Sequence, residues 1–248
     1  MRLLILGGTT EAGHLAKALA PRHHIDPVLS LAGRTEHPAV PPIPYRIGGF
    51  GGMDGLATFI RDERIQAVVD ATHPFAAQIS AHAVSACMQT NIPIVAFTRP
   101  PWQREAGDHW RPVPDISTAV QSLGETPHRV FLTTGRLDLA AFKAAPRHHY
   151  VIRTIDPPDP ADLPPRYELV SDRGPFTFAE EHELMRSAAI ELLVTKNSGG
   201  MASAAKLEAA RSLGLPIVVV ERPVIPPRPS LSSLDDVLAW IEAHRPRP

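Results

Sequence analysis

The sequence predicts an α/β protein made of two Rossmann-like, doubly wound parallel-sheet domains with a cleft between them. Two observations predict it. Apolar, β-branched runs alternate with helical runs from end to end, and a strand–small-residue turn–helix pattern opens the chain and recurs near residue 130. The strand runs are 3–6, 27–31, 67–70, 94–97, 130–133, 150–153, 192–195 and 217–220. Helical runs lie near 11–20, 54–63, 75–90, 115–122, 137–143, 179–188, 201–212 and 233–244. Such alternation implies parallel strands covered on both faces. Eight strands also suit a single barrel, but residues 99–114 are proline-rich and nowhere amphipathic, which reads as a crossover or hinge. The expected division is therefore an N-terminal domain over 1–98, the hinge over 99–114 and a C-terminal domain over 115–248.

Composition narrows the function. With 44% hydrophobic and 21% charged residues, the chain is an ordinary globular protein. A net charge of −1 gives no bulk attraction to nucleic acid or to an anionic membrane. The longest apolar runs, such as Pro216–Val220, are far too short to span a bilayer, and the first six residues read as a strand rather than a leader. The single cysteine, Cys87, excludes an internal disulfide and fits a reducing cytoplasm; its helical surroundings read it as a buried, inert thiol. Of 25 basic residues only four are lysines (Lys17, Lys143, Lys196, Lys206), leaving 21 arginines. A lone arginine therefore carries little weight, and a lysine in a glycine-rich turn carries more.

Open parallel sheets bind ligands at the carboxyl ends of their strands. Five such ends are short, polar and rich in glycine or threonine: Gly7-Gly8-Thr9-Thr10-Glu11, Ser30 to Arg34, Asp70-Ala71-Thr72-His73-Pro74-Phe75, Thr133-Thr134-Gly135-Arg136 and Thr195 to Gly200. The first has the physical make-up of a phosphate clasp, since glycines admit the ligand and helix-start N–H groups face it. Glu11 also suits the helix dipole without any ligand. An NAD site places an acid at the end of its second strand, but Ser30, Gly33 and Arg34 stand there, and Asp26 lies at the wrong end. A guanidinium and a hydroxyl suit a 2′-phosphate, so NADPH is expected over NADH. Gly7, Gly8, Thr9, Thr10, Glu11, Ser30, Gly33, Arg34 and Thr72 form the expected cofactor set. No G-x-x-x-x-G-K-[ST] loop occurs, and no tyrosine is followed four residues later by lysine. The pairs His23-His24 and His148-His149 do not chelate, and no H-E-x-x-H or Cys/His array is present, so no metal is expected.

These motifs together resemble the precorrin-6A reductases of cobalamin (vitamin B12) biosynthesis. The resemblance rests on Leu4-Ile5-Leu6-Gly7-Gly8-Thr9-Thr10-Glu11-Ala12, Asp70-Ala71-Thr72-His73-Pro74-Phe75-Ala76, Arg99-Pro100-Pro101-Trp102, Thr133-Thr134-Gly135, Thr195-Lys196-Asn197-Ser198-Gly199-Gly200 and Glu221-Arg222-Pro223. They run in family order through nearly the whole chain. The resemblance implies NADPH-dependent reduction of one double bond of a corrin-precursor macrocycle, metal-free or cobalt-bearing, by a cytoplasmic enzyme in transient contact with neighbouring pathway enzymes. A flat ring with many carboxylates calls for distributed cations and neutral donors. Arg99, Arg136, Arg153 and Arg222, with Thr134, Gly135, Asn197, Ser198 and Gly199, are the expected substrate ligands. Asn197 and Ser198 suit a helix cap equally well. His73 and Lys196 are the candidate catalytic residues, as proton donor or as carboxylate ligand. A proton from solvent, or from the ring's own nitrogens, would make a dedicated acid unnecessary. Two other readings use the same features: a non-catalytic two-lobed binder of a small polyanion, and a sugar-nucleotide enzyme with two Rossmann-like lobes.

Overall fold

A computed structural model of the chain describes residues 1–33 and 40–246. They form two compact units, one made of Met1–Pro100 together with the chain from Val224 onward, the other of Pro101–Pro223. Each unit is built on its own six-stranded sheet, and every strand pairing is parallel.

In the first unit the strands are β1 (Arg2–Leu6), β2 (Asp26–Leu31), β3 (Tyr45–Ile47), β4 (Ala67–Asp70), β5 (Ile94–Phe97) and β12 (Ser230–Leu231). Their order in space is β12-β5-β4-β1-β2-β3. Side chains alternate across β1, as the strand period requires. Leu3 and Ile5 enter one core with α1 (Thr10–Leu19) and α7 (Leu234–Ala243). Leu4 and Leu6 enter the opposite core with α2 (Gly52–Asp62) and α3 (Ala77–Thr90). Cys87 sits in that second core, where burial, aided by the Asp70 charge, pushes its thiol up to about 12; it is inert, as expected. Gly55 lies inside α2 so close to the preceding turn that an added Cβ would overlap the Phe50 carbonyl oxygen. Helix propensity alone would make Gly55→Ala stabilising by about 1 kcal/mol. We expect the reverse sign, a loss of about 1–3 kcal/mol from overpacking, read from the urea midpoint.

The second unit contains β6 (His109–Val113), β7 (Arg129–Thr133), β8 (His149–Thr154), β9 (Tyr167–Ser171), β10 (Leu192–Lys196) and β11 (Pro216–Val220), ordered β6-β11-β10-β7-β8-β9. Phe131, Val151, Leu193, Ile217 and Val219 form a core with Met185 of α5 (Phe178–Ser187) and Ala209 and Ala210 of α6 (Ala205–Ser212). A short α4 (Ile116–Ser122) and a 3₁₀ helix over Arg136–Ala144 complete this unit's main helical elements. A 3₁₀ turn at Met201–Ser203 precedes α6 within the expected 201–212 run.

The division departs from the sequence expectation in two places. Residues 109–113, expected within a hinge, form strand β6, and Pro112 is tolerated there because β6 lies at the sheet edge. Residues from Val224 on, expected in the C-terminal domain, belong to the first unit, because β12 pairs with β5 and α7 packs on α1. Glu242 of α7 secures that return by accepting from Arg22 (3.2 Å) and His24 (2.9 Å).

His148, just before β8, is fully buried, and its Nδ1 accepts from the His128 backbone N–H (3.2 Å). Burial holds its pKa below the usual 6.5; the Gly124 carbonyl opposes this, and the charges of His128 and Arg147 add to it. A depressed folded-state value means that the unfolded chain takes the proton first as pH falls below about 6.5, so stability is full above that pH and drops beneath it. His148→Gln should lose less stability than the parent between pH 7.5 and 5.5; parallel slopes would assign the effect to another group.

Candidate active site

In a doubly wound sheet the ligand crevice lies where the chain reverses its direction of winding. In the first unit that point falls between β1 and β4, and in the second between β7 and β10. The turns singled out from sequence flank both points. Gly7–Glu11 follows β1, Ala71–Phe75 follows β4, Thr134–Arg136 follows β7, and Asn197–Gly200 follows β10.

The first crevice is built from small residues for identifiable reasons. A Cβ on Gly7 would stand 2.5 Å from Leu29 Cδ1 and 3.2 Å from Ala12 Cβ, so glycine lets helix and strand approach. Gly8 has φ +114° and open space where a Cβ would be. Thr9 caps α1, accepting from Ala12 N–H (3.2 Å), and its hydroxyl donates to the Ala71 carbonyl (2.7 Å), tying the β1 turn to the β4 turn. Thr10 starts α1 and is exposed. Glu11 and Arg99 form an ion pair at 2.9 Å. Burial alone would raise the Glu11 carboxyl; the helix-start N–H and the Arg99 guanidinium outweigh it and hold the pKa below the usual carboxylate value. Two residues expected to hold different ligands thus hold each other.

Beyond β4, Thr72 donates from both N–H (3.2 Å) and hydroxyl (2.7 Å) to Asp70 Oδ1. Asp70 Oδ2 accepts from Arg228 Nη2 at 2.7 Å. Asp70 is 1% and Arg228 13% exposed at the side chain, so this is a buried pair. His73 is half-buried, and its Nδ1 accepts from Phe75 N–H (3.3 Å). Ser30, at the end of β2, is buried and accepts from Arg46 Nη1 (2.8 Å). Gly33 follows at φ +72°, and Arg34 lies outside the described residues.

In the second unit Lys196, at the end of β10, pairs with Asp138, in the first turn of the 3₁₀ helix after β7. Thr134, just before this 3₁₀ helix, is buried, and its hydroxyl has no partner among the described residues. Gly135 has φ +88°, and Arg136, half-buried, opens the 3₁₀ helix. Gly199 has φ +71°, which supplies the sharp turn after Ser198.

Three of the expected substrate ligands have partners within their own unit. Arg153 pairs with Glu181 at 2.7 Å, with side chains 9% and 0% exposed, and its guanidinium stacks 3.7 Å from the Phe176 ring centre. Asn197 clamps the Trp102 backbone, accepting from its N–H (2.8 Å) and donating to its carbonyl (3.3 Å). Arg222 donates to the Asn197 (3.0 Å) and Ser198 (3.1 Å) carbonyls and so shapes the loop. Sequence reasoning gave no role to Asp70, Asp138, Arg228 or Arg46. Asp70 stood inside a quoted motif, and Arg46 precedes the run Gly48-Gly49-Phe50-Gly51-Gly52, which was a readable signal.

Two open parallel sheets, each with small-residue turns at its reversal point, place the chain among Rossmann-like doubly wound α/β proteins. A family model described as Precorrin-6x reductase CbiJ/CobK matches residues 2–242, and the chain belongs to that family of reductases. The Precorrin-6A reductase of Rhodobacter capsulatus is 50% identical over 248 residues, covering 100% of this chain and 98% of the relative. The solved structure "CobK precorrin-6A reductase" superposes with a TM-score of 0.92 at 50% identity, covering 100% of this chain and 98% of that one. A more distant relative, the Cobalt-precorrin-6A reductase of Priestia megaterium, is 28% identical and covers 95% of this chain and 96% of its own length.

Proposed function

We propose that the protein reduces one double bond of precorrin-6A with NADPH, giving the dihydro product in cobalamin biosynthesis in the cytoplasm. The observation that carries the reading is family membership over residues 2–242, with half of all positions identical to a Precorrin-6A reductase along the full chain. The cobalt-named relative is much less similar, which favours the metal-free ring as substrate.

The first crevice fits a dinucleotide. Gly8 leaves open space at φ +114°, Gly7 brings α1 close to the sheet, and the α1 N-terminus offers N–H groups and positive dipole to a pyrophosphate. NADPH bound there supplies a hydride, two electrons, to one atom of the double bond. The other atom takes a proton. We assign that proton to His73, in the turn after β4, or to Lys196, at the end of β10. Thr9 and Asp70 fix the turn that carries His73, through the Ala71 carbonyl and the Thr72 hydroxyl. Arg136, the Thr134 hydroxyl and the Ser198–Gly199 turn are the groups we assign to the ring carboxylates.

The test is spectral. Purified protein with precorrin-6A should change its visible absorbance only when NADPH is added, because removing one double bond shortens the conjugated path. Binding of the ring with no NADPH-dependent change would favour the non-catalytic binder.

A further inference from the structure

We propose that Arg46, braced by the glycine-rich turn after β3, is the residue that reads the 2′-phosphate of NADPH, an assignment that rests on the NADPH reading above. With a pyrophosphate on the α1 N-terminus, the adenosine half extends over β2, whose end carries the group that tells NAD from NADP. Among the described residues, that end carries the buried hydroxyl of Ser30 and no carboxylate. Ser30 and Arg46 are direct cross-strand partners in the β2–β3 register.

The guanidinium is held in place. Nη1 donates to Ser30 Oγ (2.8 Å) and the Gly48 carbonyl (3.0 Å), and Nη2 donates to the Gly49 carbonyl (3.0 Å). The Phe50 ring lies under it at 4.2 Å and Phe59 at 5.3 Å, the two rings packed edge to face. Of five N–H donors, the Nε–H and one Nη2–H have no partner among the described residues. Two unengaged donors on one guanidinium suit the oxygens of one phosphate.

Charge separates Arg46 from four other cations at or near these strand ends. Arg99 is paired with Glu11, Arg228 with Asp70, Arg153 with Glu181 and Lys196 with Asp138. Arg46 has no carboxylate partner among the described residues, so its charge is left for a ligand. The turn also has room: a Cβ on Gly48, Gly49, Gly51 or Gly52 would meet nothing within 4 Å.

The competing role is bracing alone, in which Arg46 holds the glycine turn and touches no ligand. Two probes that differ only in the 2′-phosphate, 2′,5′-ADP and 5′-AMP, separate the roles by calorimetric titration of the full chain. The parent should bind 2′,5′-ADP at least tenfold more tightly. Arg46→Gln should weaken 2′,5′-ADP tenfold or more and leave 5′-AMP within twofold. A variant that weakens both probes equally makes Arg46 a brace, and one that keeps the full preference assigns the phosphate to another group; either overturns the proposal. A parent without preference overturns the NADPH reading itself, and Arg46 with it. If Arg46→Gln does not fold, Arg46→Lys decides, because it keeps the charge and loses the fork: a selective loss for 2′,5′-ADP supports the assignment, and an equal loss or none refutes it.

Discussion

Arg228→Leu should destabilise the first unit by about 3–5 kcal/mol, the cost of leaving a buried charge without its partner. Asp70 is 1% exposed, and Arg228 is the cation paired with it, at 2.7 Å. The same carboxylate holds Thr72 through N–H and hydroxyl, so the turn before His73 should loosen as well. Urea denaturation at neutral pH reads the loss, and the double variant Asp70→Asn/Arg228→Leu should recover a substantial part of it, because no charge is then stranded. A double variant that loses the full sum of the single losses would mean the two groups are not coupled. Amide exchange gives a second readout: β12 and α7, which lie on the same returning segment as Arg228, should exchange faster in the single variant.

Lys196→Ala should lower kcat by about 10²–10⁴-fold, the usual worth of a positioned proton donor. Its ammonium is fixed by Asp138, which reaches it from the neighbouring switch-point turn, so donor and turn are prearranged before any ligand arrives. Kinetics separate the two proposed roles. A raised KM with kcat unchanged makes Lys196 a carboxylate ligand, whereas kcat and kcat/KM falling together make it the proton source. Neither parameter moving would remove Lys196 from the site and leave His73 or solvent as donor.

The interior of the fold was legible in the sequence, and its margins were not. All eight strands expected from apolar runs are present. The four additional strands, β3, β6, β9 and β12, are the outermost strands of the two sheets. Tyr45–Ile47 and Tyr167–Ser171 present mostly exposed side chains, so neither carries the continuous apolar run that marks a buried strand. Pro112 made β6 look like part of a linker. The return of the chain at Val224 had no local signature, because Ser230–Leu231 is too short to declare which sheet edge it joins.

The site divides the same way. Turns at strand ends were readable because glycine, threonine and a capping pattern have local causes. Partners of the cations were not, because Glu11–Arg99 spans 88 positions and Asp70–Arg228 spans 158. The pairing of Arg153, near the end of β8, with Glu181 of α5 was equally hidden in the sequence. Arg46 was passed over for a related reason: the strand that carries it was not recognised.

The discontinuity of the first unit has a consequence for how the protein is made. A ribosome delivers residues 1–100 first, but the partner strand of β5, the helix beside α1 and the cation for Asp70 all lie beyond Val224. Until translation passes Val224 the nascent first unit therefore exposes an unpaired strand edge and an unmatched carboxylate, whereas the continuous second unit is complete at Pro223. The unit that holds the earliest strands is the last to be finished, and a chain lacking Val224–Pro248 would lose the integrity of the first unit rather than of the second.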